Sequence, residues 1–162
     1  MRMQIDPTDF LRAKLVKPGW YVTFLEEMVD EMNSKKDGFN TVLDAKLAEK
    51  SSEYFGVPVK HWFSEKGVSM PGGAIALMLA FEPSIDQTKV QDREIKDYKG
   101  KFIYAMWGTD KGADGSAPPR NVIKDWAPIP VKGPRAEEFQ EFIKQNEGSV
   151  VGAGASVAGF GS

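Results

Sequence analysis

Alternation of apolar and polar positions dominates this chain and predicts five β-strands. The alternation is clearest over Phe39–Leu47, whose odd-numbered positions are mainly apolar and whose even-numbered positions are mainly polar. Because successive side chains point to opposite faces of a strand, this period of two predicts a half-buried strand. The same pattern predicts a long, bent strand from Trp20 and a strand over residues 57–63, where Pro58 indicates a strand start or an edge. A helix is the alternative over residues 25–32, because LEEMVDEM is rich in good helix formers.

Residues 100–126 predict the last two strands and a long loop between them. Aromatic and apolar residues alternate over 102–107, which is typical of a strand, and residues 121–126 resume a short strand. The Gly, Asp, Ser and Pro residues in between favour a loop, since neither a core strand nor a helix carries such a run. The pattern therefore predicts a long-looped hairpin with basic residues at its loop.

Three segments are candidate helices. A short helix is expected near the start, after the capping region at Asp6-Pro7, and residues 74–81 carry apolar residues at helical spacing ahead of Pro83. Residues 135–145 form the third, a short amphipathic helix. A helix between the third and fourth of five strands is the order of an OB-fold. We therefore predict an all-β class, β-rich with one or two helices: a five-stranded OB-fold-like Greek-key barrel with a helix between strands three and four.

Composition sets the expected domain boundaries. Residues 1–145 are predicted to form one OB-fold-like domain with short N-terminal and C-terminal helices, which is long enough for a hydrophobic core. Residues 146–162 are rich in Gly, Ala and Ser and carry no charge after Glu147. We expect them to form a flexible tail.

Charge and composition narrow the classes of function. The 162-residue chain has a formal net charge of −2, so nucleic-acid binding requires a local basic patch. The absence of cysteine excludes disulfides and thiolate metal sites, and the single histidine, His61, excludes a histidine-rich metal site. No apolar run is long enough for a membrane span, and the first residues lack the apolar core of a signal peptide. A cytoplasmic location is therefore expected.

Loose motifs spread over residues 15–129 resemble those of a group of phage proteins. They are the opening KLVKPGWYVTFLEE, the strand FNTVLDAKLAE after a basic turn, the segment VPVKHWFSEKG before a Gly-rich helix start, and YKGKFIYAMWG followed by DG and NVIKDWAPI. In these segments the chain resembles phage-encoded OB-fold single-stranded-DNA-binding or replication-accessory proteins. None of the motifs is a catalytic signature.

The resemblance implies a function, a location and partners. It implies binding of single-stranded DNA with little sequence preference, in support of phage replication or recombination in the bacterial host cytoplasm. The partners expected are single-stranded DNA, with replication or recombination proteins and a second copy of the chain as further candidates, and no membrane. The uncharged tail departs from the pattern, because many such proteins end in an acidic tail that recruits partners.

A set of aromatic and basic residues is the candidate binding site. Single strands are bound by aromatic rings that stack on bases and by cations that follow the phosphates. Three aromatic residues are predicted to lie opposite the core face of their strands: Tyr21, Trp62 and Trp107. The predicted nucleic-acid-binding set is completed by cations on these strands or in the loops that flank an OB-fold binding face: Lys35, Lys36, Lys60, Lys101, Lys111, Arg120 and Lys124.

Each of these residues also has a plainer interpretation. Acidic residues such as Asp37 and Asp110 lie among the cations, so the loops are also consistent with ordinary solvated turns. Tryptophans bury well, so core burial is the alternative for Trp62 and Trp107 and the favoured interpretation for Trp20. The face of Trp126 stays undecided, because the fifth strand is too short to fix its register.

The residues do not predict catalysis. Adjacent acidic pairs such as Glu26-Glu27 would point apart on a strand, whereas a metal-dependent nuclease needs carboxylates that converge on a cation. His61 lies on the apolar side of its strand, which is typical of an interior histidine rather than of a base. We therefore expect no enzyme, with no catalytic residues, no metal and no cofactor.

A protein of another class is the alternative. The chain would then be a protein-interaction or assembly module, such as a phage structural or accessory subunit, without nucleic-acid binding. The net charge of −2 and the uncharged tail favour this alternative.

Overall fold

The elements along the chain follow the predicted order. The computed structural model describes residues 1–111, 114–115 and 117–150. Its helices and strands are α1 (Pro7–Ala13), β1 (Gly19–Met32), β2 (Phe39–Leu47), β3 (Pro58–Phe63), α2 (Ala74–Phe81), β4 (Phe102–Asp110), β5 (Arg120–Ala127) and α3 (Ala136–Gln145), with single 3-10 turns at Ile95–Tyr98 and Glu147–Ser149. The helix between the third and fourth strands is therefore confirmed.

The five strands form one antiparallel sheet. Their order across the sheet is β3-β2-β1-β4-β5. β3 and β5 are the two edges, and no ladder of backbone hydrogen bonds joins them within the described residues. The predicted β-rich class is confirmed, and the arrangement is barrel-like but not closed.

The central strand, β1, pairs with a different neighbour along each half. Residues 19–24 pair with β4, and residues 23–32 pair with β2. A β-bulge between Leu25 and Glu27 lies where the two pairings meet, and such a bulge bends a strand and increases its twist. The long, bent strand is therefore confirmed, and the helical alternative over residues 25–32 is wrong.

A glycine carbonyl fills the gap between the two edge strands. His61 of β3 and Trp126 of β5 have ring centroids 5.5 Å apart, so the edges face each other across this gap. The Gly72 carbonyl oxygen accepts from the Trp126 Nε1–H at 2.9 Å and from His61 Nε2 at 2.7 Å. Gly72 has a φ of +79°, and a Cβ there would lie 3.0 Å from the Lys124 carbonyl oxygen. Both facts favour glycine at this position, where loop and side chains bridge the open sheet.

The inner face of the sheet holds the main hydrophobic core. Leu25, Leu43 and Ile103 are fully buried on this face. α2 packs Leu77 and Phe81 against the same core, as its apolar sequence predicts. Each large apolar side chain buried in this way contributes on the order of 1.5–3 kcal/mol to the stability of the fold.

The outer face of β1 and β4 carries a second apolar cluster, which lies under α3. Phe139 and Ile143 of α3 are buried against Val22 of β1, and the rings of Phe102 and Tyr104 pack on the same cluster. The amphipathic helix predicted over residues 135–145 is confirmed, and its apolar side faces the sheet. β1 and β4 therefore carry apolar residues on both faces.

The packed part of the chain extends past the predicted domain boundary. The sequence places the end of the domain at residue 145, but Val150 is 0% exposed and belongs to the outer apolar cluster. Val150, which the sequence assigned to the tail, therefore packs on the domain. The remaining part of the predicted tail, residues 151–162, lies outside the described residues.

Candidate nucleic-acid interface

Trp62 is exposed on the outer face of β3. Its relative exposure is 44%, and its indole Nε1–H donates to Glu31 Oε1 at 3.2 Å. Lys60 lies two residues earlier on the same face of the strand and is also exposed. The predicted exposure of Trp62 and Lys60 is therefore confirmed, and the structure brings the two side chains together.

An apolar row crosses the sheet beside Trp62. In the strand register Val29 lies opposite Val42, and Val42 lies opposite Trp62, so the three side chains share one face. Val29 is 55% exposed and Val42 is buried. Because β3 is an edge, no described strand is hydrogen-bonded along its other side. The indole therefore combines an apolar neighbour with an open side, which is the arrangement that a stacking base requires.

The next row of this face carries paired charges. Glu27, Asp44 and Lys60 follow one another across the three strands. Lys60 Nζ lies 3.7 Å from Asp44 Oδ1, and Lys99 Nζ lies 2.8 Å from Glu27 Oε1. The hydrogen bond from Lys99, followed by that from the Met28 backbone N–H, holds the pKa of Glu27 below its ordinary value. This part of the face is therefore balanced in charge rather than basic.

The tip of the β1–β2 hairpin, residues 32–39, projects beyond the edge strand and is called the hairpin arm. The pairing of β2 with β3 stops at Thr41, so no described strand pairs beside the arm. Phe39 is 59% exposed and Met32 opposite it is 54% exposed, although the alternation of β2 placed Phe39 on the core side. Lys35 and Lys36 lie exposed in the turn, and the ion pairs of the described residues involve neither of them. The arm thus combines an exposed ring with two cations.

Trp107 is buried, and the prediction that it is exposed is wrong. Its relative exposure is 1%, and its indole N–H donates to the Thr23 hydroxyl at 3.0 Å. A ring in this position cannot stack on a base. The error has a physical cause: α3 covers the outer face of β4, so the apolar side that the sequence assigned to the core, with Phe102 and Tyr104, is the outer one.

Tyr21 also lies on the inner side of the sheet, contrary to the prediction. Its ring packs edge-on against Trp107, with centroids 6.5 Å apart, and its hydroxyl donates to the Lys17 carbonyl at 2.7 Å. The pKa of Tyr21 is raised above its ordinary value, mainly by burial of the ring. Its face was inverted in the prediction for the same reason, since Val22 on the other side of β1 is buried under α3.

The other two tryptophans are not candidates for stacking. Trp126 is 4% exposed and packs against His61 and Phe63 in the gap between the edge strands, which settles its undecided face. Trp20 is half-buried on the outer face, where its ring stacks on Tyr104 with centroids 5.5 Å apart. The core position favoured for Trp20 is therefore only partly correct.

The β4–β5 hairpin presents further cations of the predicted set. Lys111 and Arg120 are exposed at the ends of its loop, and Arg120 lies 3.4 Å from Asp110. Lys124 is exposed on β5, with its alkyl chain packed along β4. Lys101 is half-buried just before β4. Residues 112, 113 and 116 of the loop lie outside the described part of the chain.

Exposed members of the predicted set lie on both edge strands that border the gap. Lys60 and Trp62 border the gap on β3, and Lys124 borders it on β5. Lys35 and Lys36 lie in the hairpin arm, where the β1–β2 pair extends past the end of its pairing with β3. Trp62 is therefore the exposed ring of the predicted set, and Lys60 is the cation on the same face of its strand.

Metal-ligating side chains do not converge within the described part of the chain. Among the residues that the structure describes, no group of three or more His, Cys, Asp or Glu side chains could hold a metal ion. His61 packs between Phe63 and Trp126, where burial lowers its pKa. The interior position predicted for His61 is confirmed.

Comparison with known proteins adds no assignment. The sequence matches no protein-family model and no curated protein. Within residues 1–111, 114–115 and 117–150, none of the helices has the length and apolar character needed to cross a membrane. The geometry of the surface is therefore the basis on which a function is assigned.

Proposed function

We propose that this protein binds single-stranded DNA with little sequence preference. The observation that carries the proposal is Trp62, an indole that is 44% exposed on the face of an edge strand, with Lys60 beside it. Stacking of a base on an aromatic ring is worth about 1–3 kcal/mol and tolerates any base, since every base has a π-face. A site of this kind gives affinity without base-specific contacts.

An OB-fold interpretation of the sheet supports the proposal. The order β3-β2-β1-β4-β5 becomes a Greek-key barrel when its two edges meet, and a helix links the third and fourth strands. In OB-folds the face of the second and third strands binds oligonucleotides, together with the β1–β2 and β4–β5 loops. Trp62 lies on that face. We interpret the protein as an OB-fold barrel that is open between β3 and β5.

The bound DNA strand is proposed to run from the hairpin arm across Trp62 to β5. The arm supplies Lys35 and Lys36 as phosphate contacts, whereas Phe39 lies on the face of the strand pair opposite to Trp62. Lys124 on β5 is the phosphate contact at the other side of the gap. This track combines an exposed ring with cations, which is the combination found in proteins that bind single strands without sequence preference.

A role in phage replication or recombination, in the bacterial cytoplasm, follows from the same proposal. It is supported by the resemblance of the loose motifs over residues 15–129 to phage replication-accessory proteins. Replication or recombination proteins are then the proposed protein partners.

A protein-interaction or assembly module without nucleic-acid binding is the second candidate. Ion pairs favour it, because Asp44 offsets the charge of Lys60 and Asp110 offsets that of Arg120. Glu31 also places a carboxylate on the Trp62 indole N–H, close to where a phosphate would pass. The net charge of −2 points the same way.

Salt dependence separates the two candidates. Labelled oligo(dT) is titrated with the protein and followed by fluorescence anisotropy at two salt concentrations. We expect binding that weakens at the higher salt concentration, because each phosphate that the protein neutralises releases a counterion. Each such contact makes the slope of log K against log salt more negative by about 0.7. No change in anisotropy at low salt would leave the interaction module as the better assignment.

A further inference from the structure

A large apolar cleft lies on the outer side of the sheet. It has a volume of about 990 Å³ and runs between α1, the β1–β2 strand pair and α3. Leu11, Phe24, Phe55, Phe102 and Phe142 are among the residues that line it. Phe55 is 47% exposed, and the other four side chains are half-buried. Apolar rings gathered at one solvent-exposed place are a sign of a binding surface.

Several charged groups on the cleft walls are paired within the chain. Lys46 donates to Glu26 at 3.2 Å. Glu49 accepts a backbone N–H of β1 at 2.7 Å and binds the Arg135 guanidinium, which also binds Glu138 at 2.6 Å. Because these carboxylates already have partners, an uncharged apolar occupant fits the cleft better than a charged one.

Residues 151–162 start beside this cleft. Val150, which precedes them, is fully buried in the outer cluster with Phe139, and Phe139 itself lines the cleft. The segment, VGAGASVAGFGS, carries no charge, and Val157 and Phe160 are its large apolar residues after position 151. Its composition therefore matches the chemistry of the cleft.

The segment is also long enough. An extended chain advances up to about 3.3 Å per residue, so Phe160 can lie as far as about 33 Å from Val150. α3 has 10 residues and, at about 1.5 Å per residue, is about 15 Å long. Phe160 can therefore reach along the full length of the α3 wall of the cleft.

We propose that residues 151–162 bind in the cleft of their own chain. Val157 and Phe160 contact its phenylalanines, and the small Gly, Ala and Ser residues between them let the backbone approach the wall closely. Trp62 does not line the cleft, so this interaction is independent of the proposed binding of single-stranded DNA.

A spin label on the full chain tests this proposal. The chain has no cysteine, so Ser162→Cys supplies a single attachment point for a nitroxide, two residues from Phe160. We expect strong paramagnetic broadening of the backbone amide signals of Leu11, Phe55 and Phe142, which line the cleft. The amide signal of Val90, whose side chain is 99% exposed and which does not line the cleft, is expected to stay sharp.

Two variants probe the contact from opposite sides. Phe160→Asp would place a carboxylate in an apolar cleft, and Phe55→Asp would place one on its half-exposed wall, so each is expected to remove the broadening. Val90→Asp adds the same charge outside the cleft and is expected to leave the broadening unchanged. A melting temperature equal to that of the unmodified chain would show that loss of folding does not account for the effect of Phe160→Asp.

Two outcomes would overturn the proposal. The first is observed on the labelled chain alone: the cleft signals either stay sharp in the Ser162→Cys chain or are broadened equally in both aspartate variants. The second is observed in a mixture of spin-labelled chain without isotope and isotope-labelled chain without spin label. Broadening of equal strength in that mixture would show that the segment binds a second copy rather than its own chain.

Discussion

Trp107 donates its indole N–H to the Thr23 hydroxyl at 3.0 Å, with both side chains buried in the inner core. The bond joins β4 to the central strand and satisfies the one polar group of a ring that is otherwise enclosed. Tyr21 packs edge-on against the same ring. Trp107 is therefore a structural residue, and the aromatic binding surface of the sheet depends on Trp62.

Truncation of the two tryptophans is expected to separate these roles. Trp107→Ala removes a fully buried ring and is expected to lower the free energy of unfolding by about 3–5 kcal/mol. Thr23→Val keeps the shape but leaves the indole N–H without a partner, at a cost of about 1–3 kcal/mol. Trp62→Ala, at an exposed position, is the control and is expected to change stability little. Urea unfolding measures all three, and equal losses for Trp62→Ala and Trp107→Ala would contradict the face assignment.

Gly72 is expected to be sensitive even to alanine. Its positive φ and the Lys124 carbonyl 3.0 Å from a Cβ act together, so we expect Gly72→Ala to cost on the order of 1–3 kcal/mol in the free energy of unfolding. Gly100 has a φ of +81° with nothing within 4 Å of a Cβ, so Gly100→Ala isolates the backbone term. Thermal unfolding should rank Gly72→Ala as the less stable variant. If Gly100→Ala were the less stable variant, the Lys124 carbonyl would have moved away from the new Cβ at position 72.

His61 is expected to make stability depend on pH. Burial holds the pKa of the folded His61 below its ordinary value of about 6.5, so the unfolded chain takes up a proton first as the pH falls. The unfolded state then binds more protons, and stability present above about pH 6.5 is lost as the pH falls below it. His61→Gln keeps a donor for the Gly72 carbonyl without titrating. Denaturant unfolding at pH 7.5 and 5.5 should show a smaller difference in this variant, and an equal difference would contradict the enclosed position.

The sequence pattern succeeded where one face of a strand is polar. In β3, Lys60 and Trp62 alternate with Val59 and Phe63, and the predicted faces are confirmed. The boundaries of α2 were also predicted correctly, because apolar residues at helical spacing end just before Pro83. The start of α1 was recognisable for a local reason, since Asp6 accepts from the Asp9 backbone N–H as a cap.

The pattern failed where a second layer makes both faces apolar. Phe102 and Ile103 are adjacent in β4, yet one packs under α3 and the other lies in the inner core. Alternation alone cannot distinguish such faces, because it requires a polar side as a reference. The bulge after Leu25 adds a second difficulty, since it changes which side of β1 faces the core and leaves no signal in composition. The exposure of Phe39 depends on where β3 ends beside β2, and the tertiary structure rather than the sequence of β2 determines that point.

The cations of the hairpin arm are expected to set the salt dependence of binding. Lys35→Ala with Lys36→Ala should weaken oligo(dT) binding. The double variant should also make the slope of log K against log salt less negative, by about 0.7 for each lost phosphate contact. Lys132→Ala with Lys144→Ala removes the same charge near α3 and serves as the control. Anisotropy titrations at several salt concentrations give both slopes. If the two double variants behave alike, the phosphates do not pass along the arm.

Quenching of tryptophan fluorescence by oligo(dT) tests the central claim most directly. Trp107 and Trp126 are buried and Trp20 stacks on Tyr104, so a bound base should quench Trp62. We expect oligo(dT) to quench the unmodified protein and Trp20→Phe to a similar extent, and Trp62→Phe hardly at all. Trp62→Ala is expected to bind about 1–3 kcal/mol more weakly while remaining folded. Quenching that persists in Trp62→Phe, with unchanged affinity in folded Trp62→Ala, would contradict the proposal that bases stack on this ring.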